Sequence, residues 1–134
     1  MRLQIGSKGE TLINDTFNNN PEAAIAGLEY LAKFPKKKVL VFQPMIELGK
    51  FTDSSHERVG SVAGRICDEI ILTNANFSKS FIQGVHETHP QIQVHILSAE
   101  KASHYIKQSL FAGDAVLFKG KEAELVWKHM VVKK

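Results

Sequence analysis

"TLINDTFNNNPEAAIAGLEYLAKF", residues 11 to 34, decides what kind of fold this chain can build. It opens with β-prone residues, passes through an acid and a cluster of amides, and enters a helical pattern at a proline. Asn20 stands at the N-cap position and Pro21 at the first helical position, where its missing N–H is no loss. Ile25, Leu28, Leu31 and Ala32 then recur at helical spacing. A strand that hands over to a helix across a short polar loop is one half of a βαβ unit.

The same alternation runs outward in both directions. Upstream, "RLQI" (2–5) and "TLIN" (11–14) flank the glycine-bearing "GSKGE" and read as a strand pair joined by a turn. Downstream, "KVLVF" (38–42) is continuously apolar, the pattern of a strand covered on both faces. The loop "QPMIELGKFTDSS" (43–55) leads to a helix expected from about His56 to Cys67. The strand "EIILT" (69–73) and the helix "SKSFIQGVHETH" (78–89) come next, then "QVHIL" (93–97) and "AEKASHYIKQSLF" (99–111). "AVLFK" (115–119) and "EAELVWKHM" (122–130) close the chain. Such alternation implies an α/β fold with right-handed crossovers and a mostly parallel sheet, the opening pair adding an antiparallel edge.

Composition narrows the class. The 134 residues suit one domain with one core, and 43% hydrophobic with 23% charged residues argues against disorder. The net charge of +3 owes its excess to "PKKK" (35–38) and the terminal "KK". No aromatics interleave with these lysines, so a nucleic-acid surface is not expected. The single cysteine, Cys67, rules out an internal disulfide and fits a reducing cytoplasm; inside a helical pattern it reads as a buried thiol. Residues 1–10 are polar and unlike a secretory signal, and no apolar run approaches the roughly 20 residues a bilayer requires. A soluble cytoplasmic protein without a membrane partner is expected.

In a parallel sheet, ligands gather at the carboxyl ends of the strands. Three loops there carry distinctive chemistry: Asn14 to Pro21, Gln43 to Gly49, and Lys119 to Lys121. The first has no glycine or lysine and is no phosphate cradle. Asp15 with several amides suits the hydroxyls of a ribose and the nitrogens of a base, although Asn20 as a plain helix cap and Asp15 as a turn residue are the simpler alternative. Glu47 lies in an apolar loop, and Lys119 at a strand end can meet a carboxylate or a phosphate oxygen. The histidines of "HETH" (86–89) lack a further acid or cysteine pattern, so no metal site is expected. No nucleophile elbow and no G-x-G-x-x-G follow a strand, and no catalytic residue is assigned.

Together the loops resemble the C-terminal domain of the Mur ligase family. The family's Asp-Ser-Tyr-Asn-Ala-Asn-Pro run stands here as "DTFNNNP" (15–21). Its Met-x-Glu-Leu-Gly and His-Glu-x-x-Gly runs stand as "MIELG" (45–49) and "HERVG" (56–60). Its Gly-Asp-x-Val-Leu-x-Lys-Gly run stands as "GDAVLFKG" (113–120). The resemblance implies a Rossmann-like three-layer sandwich within an ATP-dependent peptide ligase. Such enzymes turn a carboxylate into an acyl phosphate that an amine attacks, with ATP and magnesium held mainly by a central domain. By the same resemblance Asp15 meets the ribose, Asn18, Asn20 and Pro21 border the adenine, and Glu47, Leu48, His56, Lys119 and Gly120 lie nearer the incoming amino acid or dipeptide. The branch most similar adds D-alanyl-D-alanine to UDP-N-acetylmuramoyl-tripeptide in peptidoglycan synthesis.

Three departures stand out. Phe17 replaces the usual tyrosine, Gln43 and Pro44 replace Gly-Asp, and "KEAE" (121–124) lacks a frequent Ser-Arg. No Gly-x-x-x-x-Gly-Lys-Thr loop occurs, and there is no room for the central and N-terminal domains. The expectation is a domain of a longer ligase, inactive alone. A folylpolyglutamate- or cyanophycin-type ligase domain and a non-catalytic α/β binding module are the alternatives.

Overall fold

The computed structural model describes residues 1–46 and 48–131. The chain runs β1 (Arg2–Ile5), β2 (Thr11–Asn14), α1 (Pro21–Leu31), β3 (Lys38–Phe42), a 3₁₀ turn (Gly49–Phe51) and α2 (Thr52–Ile66). It continues through β4 (Glu69–Leu72), α3 (Ser78–Thr88), β5 (Val94–Ile96), α4 (Ala99–Ser109), β6 (Ala115–Lys119) and α5 (Lys121–Met130). Six strands make one sheet in the order β1-β2-β6-β3-β4-β5. β1 and β2 pair antiparallel, and the other neighbours pair parallel. The expected mostly parallel sheet with an antiparallel N-terminal edge is therefore present.

Covering both faces explains the unbroken apolar strands. Side chains alternate across a strand, so Leu40 and Phe42 face one layer while Val39 and Val41 face the other. On the first face they join Leu28 of α1, Val59 of α2 and Phe81 of α3. On the second they join Ile106 of α4 and Val126 of α5. Each of these side chains is fully withdrawn from water, worth about 1.5–3 kcal/mol apiece relative to exposure. Cys67 is buried behind the first face, and that burial pushes its thiol pKa well up, as fits an inert packing residue.

The start of one helix differs from expectation. α2 begins at Thr52 rather than near His56, continuing directly from the 3₁₀ turn. Thr52 Oγ donates to Gly49 O at 2.6 Å and Ser54 Oγ to Phe51 O at 3.2 Å, so residues with turn-like preferences bond back into the opening turns. Farther on, α2 and α3 approach until their backbones touch. A Cβ at Gly84 would sit 2.0 Å from Glu57 O, and one at Gly60 would sit 2.2 Å from Phe81 O.

The lysine run is spent within the fold. Lys37 Nζ donates to Ser109 O at 3.1 Å and Lys36 Nζ to Ala112 O at 3.3 Å, at and just beyond the end of α4. Lys38 Nζ donates to Phe34 O at 3.2 Å, just beyond α1. Ammonium groups thus meet the carbonyl-rich ends of two helices, where the helix dipole is negative. Lys133 and Lys134 lie outside the described residues. Among the described residues, no helix is long and apolar enough to cross a membrane.

Candidate functional site

β2, β6, β3 and β4 all deliver their carboxyl ends to one rim of the sheet. Asp15 follows β2 and extends its ladder, its N–H donating to Phe118 O at 3.1 Å. Lys119 is the last residue of β6. Its Nζ donates to Asp15 Oδ2 at 3.0 Å and to Asn18 O at 2.6 Å. The ammonium is fully enclosed, whereas the Asp15 side chain keeps 19% of its surface. Burial lowers the Lys119 pKa, and the bond and charge of Asp15 oppose that shift. The pair therefore fixes the carboxylate and the start of the amide loop together.

Beside the pair opens a cleft of about 540 Å³ lined by Asn14, Asp15, Thr16, Phe17, Lys121 and Glu124, with the first two residues of the chain. Asn14 Oδ1 accepts from Thr16 N at 3.2 Å and Thr16 Oγ at 2.8 Å, an Asx-type turn that throws Phe17 outward. The Phe17 ring is 96% exposed. Asn18 and Asn20 are exposed as well, while Pro21 is buried at the head of α1. Asn20 caps that helix, its side chain accepting from Ala23 N at 2.8 Å. The cleft thus presents a fixed carboxylate and a flat apolar ring, with the amides of Asn18 and Asn20 on the adjoining loop.

The rim continues toward β4. Asn19 Nδ2 donates to Gln43 O at 2.8 Å, and Glu122 N donates to Gln43 Oε1 at 2.9 Å. Gly120 turns between them at φ +97°, a conformation that disfavours a side chain. A Cβ there would also lie 2.6 Å from Gln43 Cβ and 3.0 Å from Asn19 Nδ2. Glu122 Oε1 in turn accepts from Thr73 Oγ at 2.7 Å and Asn74 Nδ2 at 2.8 Å. One chain of contacts links the ends of β2, β6, β3 and β4.

The segment after β3 is anchored from below. His56 is fully buried in α2; its Nε2 accepts from Met45 N at 2.9 Å and its Nδ1 lies 2.8 Å from Thr52 O. Leu48 packs half-buried against the first core face. Glu47 lies outside the described residues.

The structure thus brings Asp15, Asn18, Asn20, Lys119 and Gly120 to one end of the molecule, with Leu48 and His56 beneath the neighbouring segment. Lys119 does meet a carboxylate, and it is the chain's own. His56 uses both ring nitrogens on backbone groups, so any influence it has on a ligand passes through Met45. Asn19 of the amide cluster also builds the rim, together with Gln43, Glu122, Thr73 and Asn74, whose parts sequence reading missed. For Gln43, Thr73 and Asn74 the cue lay in their position directly after buried strands. Among the described residues, no three histidine, cysteine or acidic groups gather as a metal would need. The rim carboxylates of Asp15 and Glu122 already have partners on Lys119, Thr73 and Asn74, so these residues do not fit magnesium.

Comparison with known proteins adds an independent line. The sequence profile described as "Mur ligase, glutamate ligase domain" matches residues 1–122. UDP-N-acetylmuramoyl-tripeptide–D-alanyl-D-alanine ligase of Bacillus subtilis is 27% identical over 140 aligned residues, spanning 98% of this chain and 30% of that protein. The enzyme of the same name from Buchnera aphidicola is 29% identical over 100 residues, 72% of this chain and 20% of that one. The crystal structure of a Thermotoga maritima MurF ligase in complex with ADP superposes with a TM-score of 0.76 at 26% identity, covering 96% of this chain and 29% of that chain. The chain therefore spans less than a third of the length of the relatives it matches.

Proposed function

Because the chain belongs to the Mur ligase family, in its glutamate ligase domain, we propose that it is the C-terminal domain of a longer MurF-like enzyme. That enzyme joins D-alanyl-D-alanine to UDP-N-acetylmuramoyl-tripeptide in the cytoplasm, using ATP to activate the tripeptide carboxylate as an acyl phosphate. The observation that carries this reading is the Asp15–Lys119 pair, held at the strand ends beside a cleft that also exposes Phe17.

The chemistry of that cleft suits the sugar and base of a nucleotide. A carboxylate is an acceptor for ribose hydroxyls and would repel phosphates. Lys119 keeps Asp15 oriented before ATP arrives, so little ordering cost remains at binding. Phe17 offers a face for the adenine ring, and the exposed amides of Asn18 and Asn20 border it. The turn at Gly120, with Met45, Ile46 and Leu48, forms the side from which the incoming dipeptide amine approaches. The phosphates, and the metal that neutralises them, fall to the central domain, while the UDP-sugar falls to the N-terminal one.

The test is ligation in the three-domain enzyme. Amide formation with ADP release is expected from D-alanyl-D-alanine and UDP-N-acetylmuramoyl-tripeptide, and none from the 134-residue chain alone. Asp15→Ala should lower kcat/KM for ATP roughly 10- to 150-fold, the range for losing a charge-assisted hydrogen bond. Activity with a folate or a polyaspartate acceptor instead would move the enzyme to another branch, and unaltered ATP kinetics would remove Asp15 from the nucleotide.

A further inference from the structure

We propose that His56 is a proton-sensitive anchor of the rim segment after β3. Neutral and protonated on Nδ1, it holds Met45 through Nε2; a second proton releases that hold. The anchoring stands on the geometry of this chain, and only its relevance to an amine substrate rests on the function proposed above.

The hydrogen bonds define the tautomer. Thr52 O has no hydrogen to give, so Nδ1, 2.8 Å away, must be the donor there. Met45 N carries its own hydrogen, so Nε2 at 2.9 Å must be the bare acceptor. A proton added to Nε2 would face the Met45 N–H donor to donor. The ring has no exposed surface through which to turn away. Met45 itself is 1% exposed, and its neighbour Ile46 is 64% exposed. The segment therefore crosses from core to solvent at the residue His56 grips.

A second rim segment leans on the same ring. Phe77 stacks over His56 with centroids 4.9 Å apart and planes tilted by 35°. It does so from a left-handed backbone conformation, φ 55°, which costs a residue with a side chain about 1–2 kcal/mol. Phe42 of β3 meets the ring edge-on at 6.4 Å. The neighbours from β3 and from the loop before α3 are thus uncharged, and among the described residues the charged group that acts on the ring is Asp53 of its own helix. Burial lowers the His56 pKa and outweighs the opposing effects of Thr52 O and Asp53. At neutral pH the anchor is closed, and acidification opens it.

Nuclear magnetic resonance on the uniformly ¹⁵N-labelled 134-residue chain tests the anchor without any substitution. At pH 7.5, His56 should show a protonated Nδ1 and an unprotonated Nε2. On acidification the Met45 amide resonance should move with the His56 midpoint, below the ordinary value of 6.5. A glutamine can offer its side-chain oxygen to Met45 but carries no titrating proton. His56→Gln should therefore retain slow exchange of the Met45 amide and abolish its pH response. His56→Leu should speed that exchange by about five- to tenfold at neutral pH, as loss of one hydrogen bond implies. A protonated Nε2 at pH 7.5, or a Met45 amide indifferent to the His56 titration, would overturn the proposal.

Discussion

Replacing Asp15 by asparagine keeps the shape of the side chain but leaves the Lys119 ammonium enclosed without a counter-charge. Loss of about 2–3 kcal/mol in urea unfolding is expected, just under the roughly 3–5 kcal/mol for breaking a fully buried pair because Asp15 is itself partly solvated. Lys119→Met should cost less, since the stranded group is then a carboxylate that can still reach water. In the double variant the two losses should fall short of their sum. Strict additivity would mean that the two side chains do not act as a unit. His56 gives a second expectation, for pH. Its pKa is lowered in the folded state, so the unfolded chain binds more protons in the window beneath 6.5. Stability is then fully present above 6.5 and falls as the pH drops toward the folded value. The pH dependence of the urea midpoint between 7.5 and 5.5 should be shallower in His56→Gln than in the parent. The acid and the amides of 15–20 were legible in the sequence as a polar edge. The grip of Lys119 on them was not, because it spans 104 residues and is created only when β2 and β6 become neighbours.

Among the secondary-structure elements, the contact between α2 and α3 leaves the least freedom. Gly84→Ala would drive a methyl group into Glu57 O, a backbone atom that cannot swing aside. The helices must separate, and a cost of about 3 kcal/mol or more is expected, at the top of the range for overpacking. Gly49→Ala serves as the contrast: nothing lies within 4 Å of its Cβ position, so only the positive φ of +59° opposes it, at about 1–2 kcal/mol. Equal losses in thermal unfolding would argue against the close approach. Elements of this kind differ in how plainly they can be read. "KVLVF" and "AVLFK" announced buried strands because apolar runs without alternation fit only a sheet covered twice. "TDSS" at 52–55 read as loop because Thr, Asp and Ser favour turns. The hydroxyls of Thr52 and Ser54 bond to carbonyls three residues back, and such a partner cannot be read before the helix exists.

Across the whole molecule, the two ends of the sheet have opposite characters. The carboxyl end carries the cleft, the Asp15–Lys119 pair and exposed Phe17, Ile46 and Phe51. The other end is closed by Lys36, Lys37 and Lys38 on the carbonyls beyond α1 and at the end of α4. Titration of the labelled chain with ADP should accordingly shift amide resonances of residues 14–19 and 120–124 and leave 35–38 unmoved. Shifts centred on the lysine run would mean that a simple charge attraction, and not the cleft, holds the nucleotide.

The enclosure of the Lys119 ammonium has one more consequence, for chemical labelling. Reagents that acylate primary amines need a free amine that they can approach. Lys33, Lys79 and Lys101 stand in solvent and would be marked at once, whereas Lys119 has no surface to offer. Its acylation must wait until β2 and β6 part or the amide loop lifts. Mass spectrometry of the peptide that contains it would turn this single nitrogen into a clock for the opening of the rim.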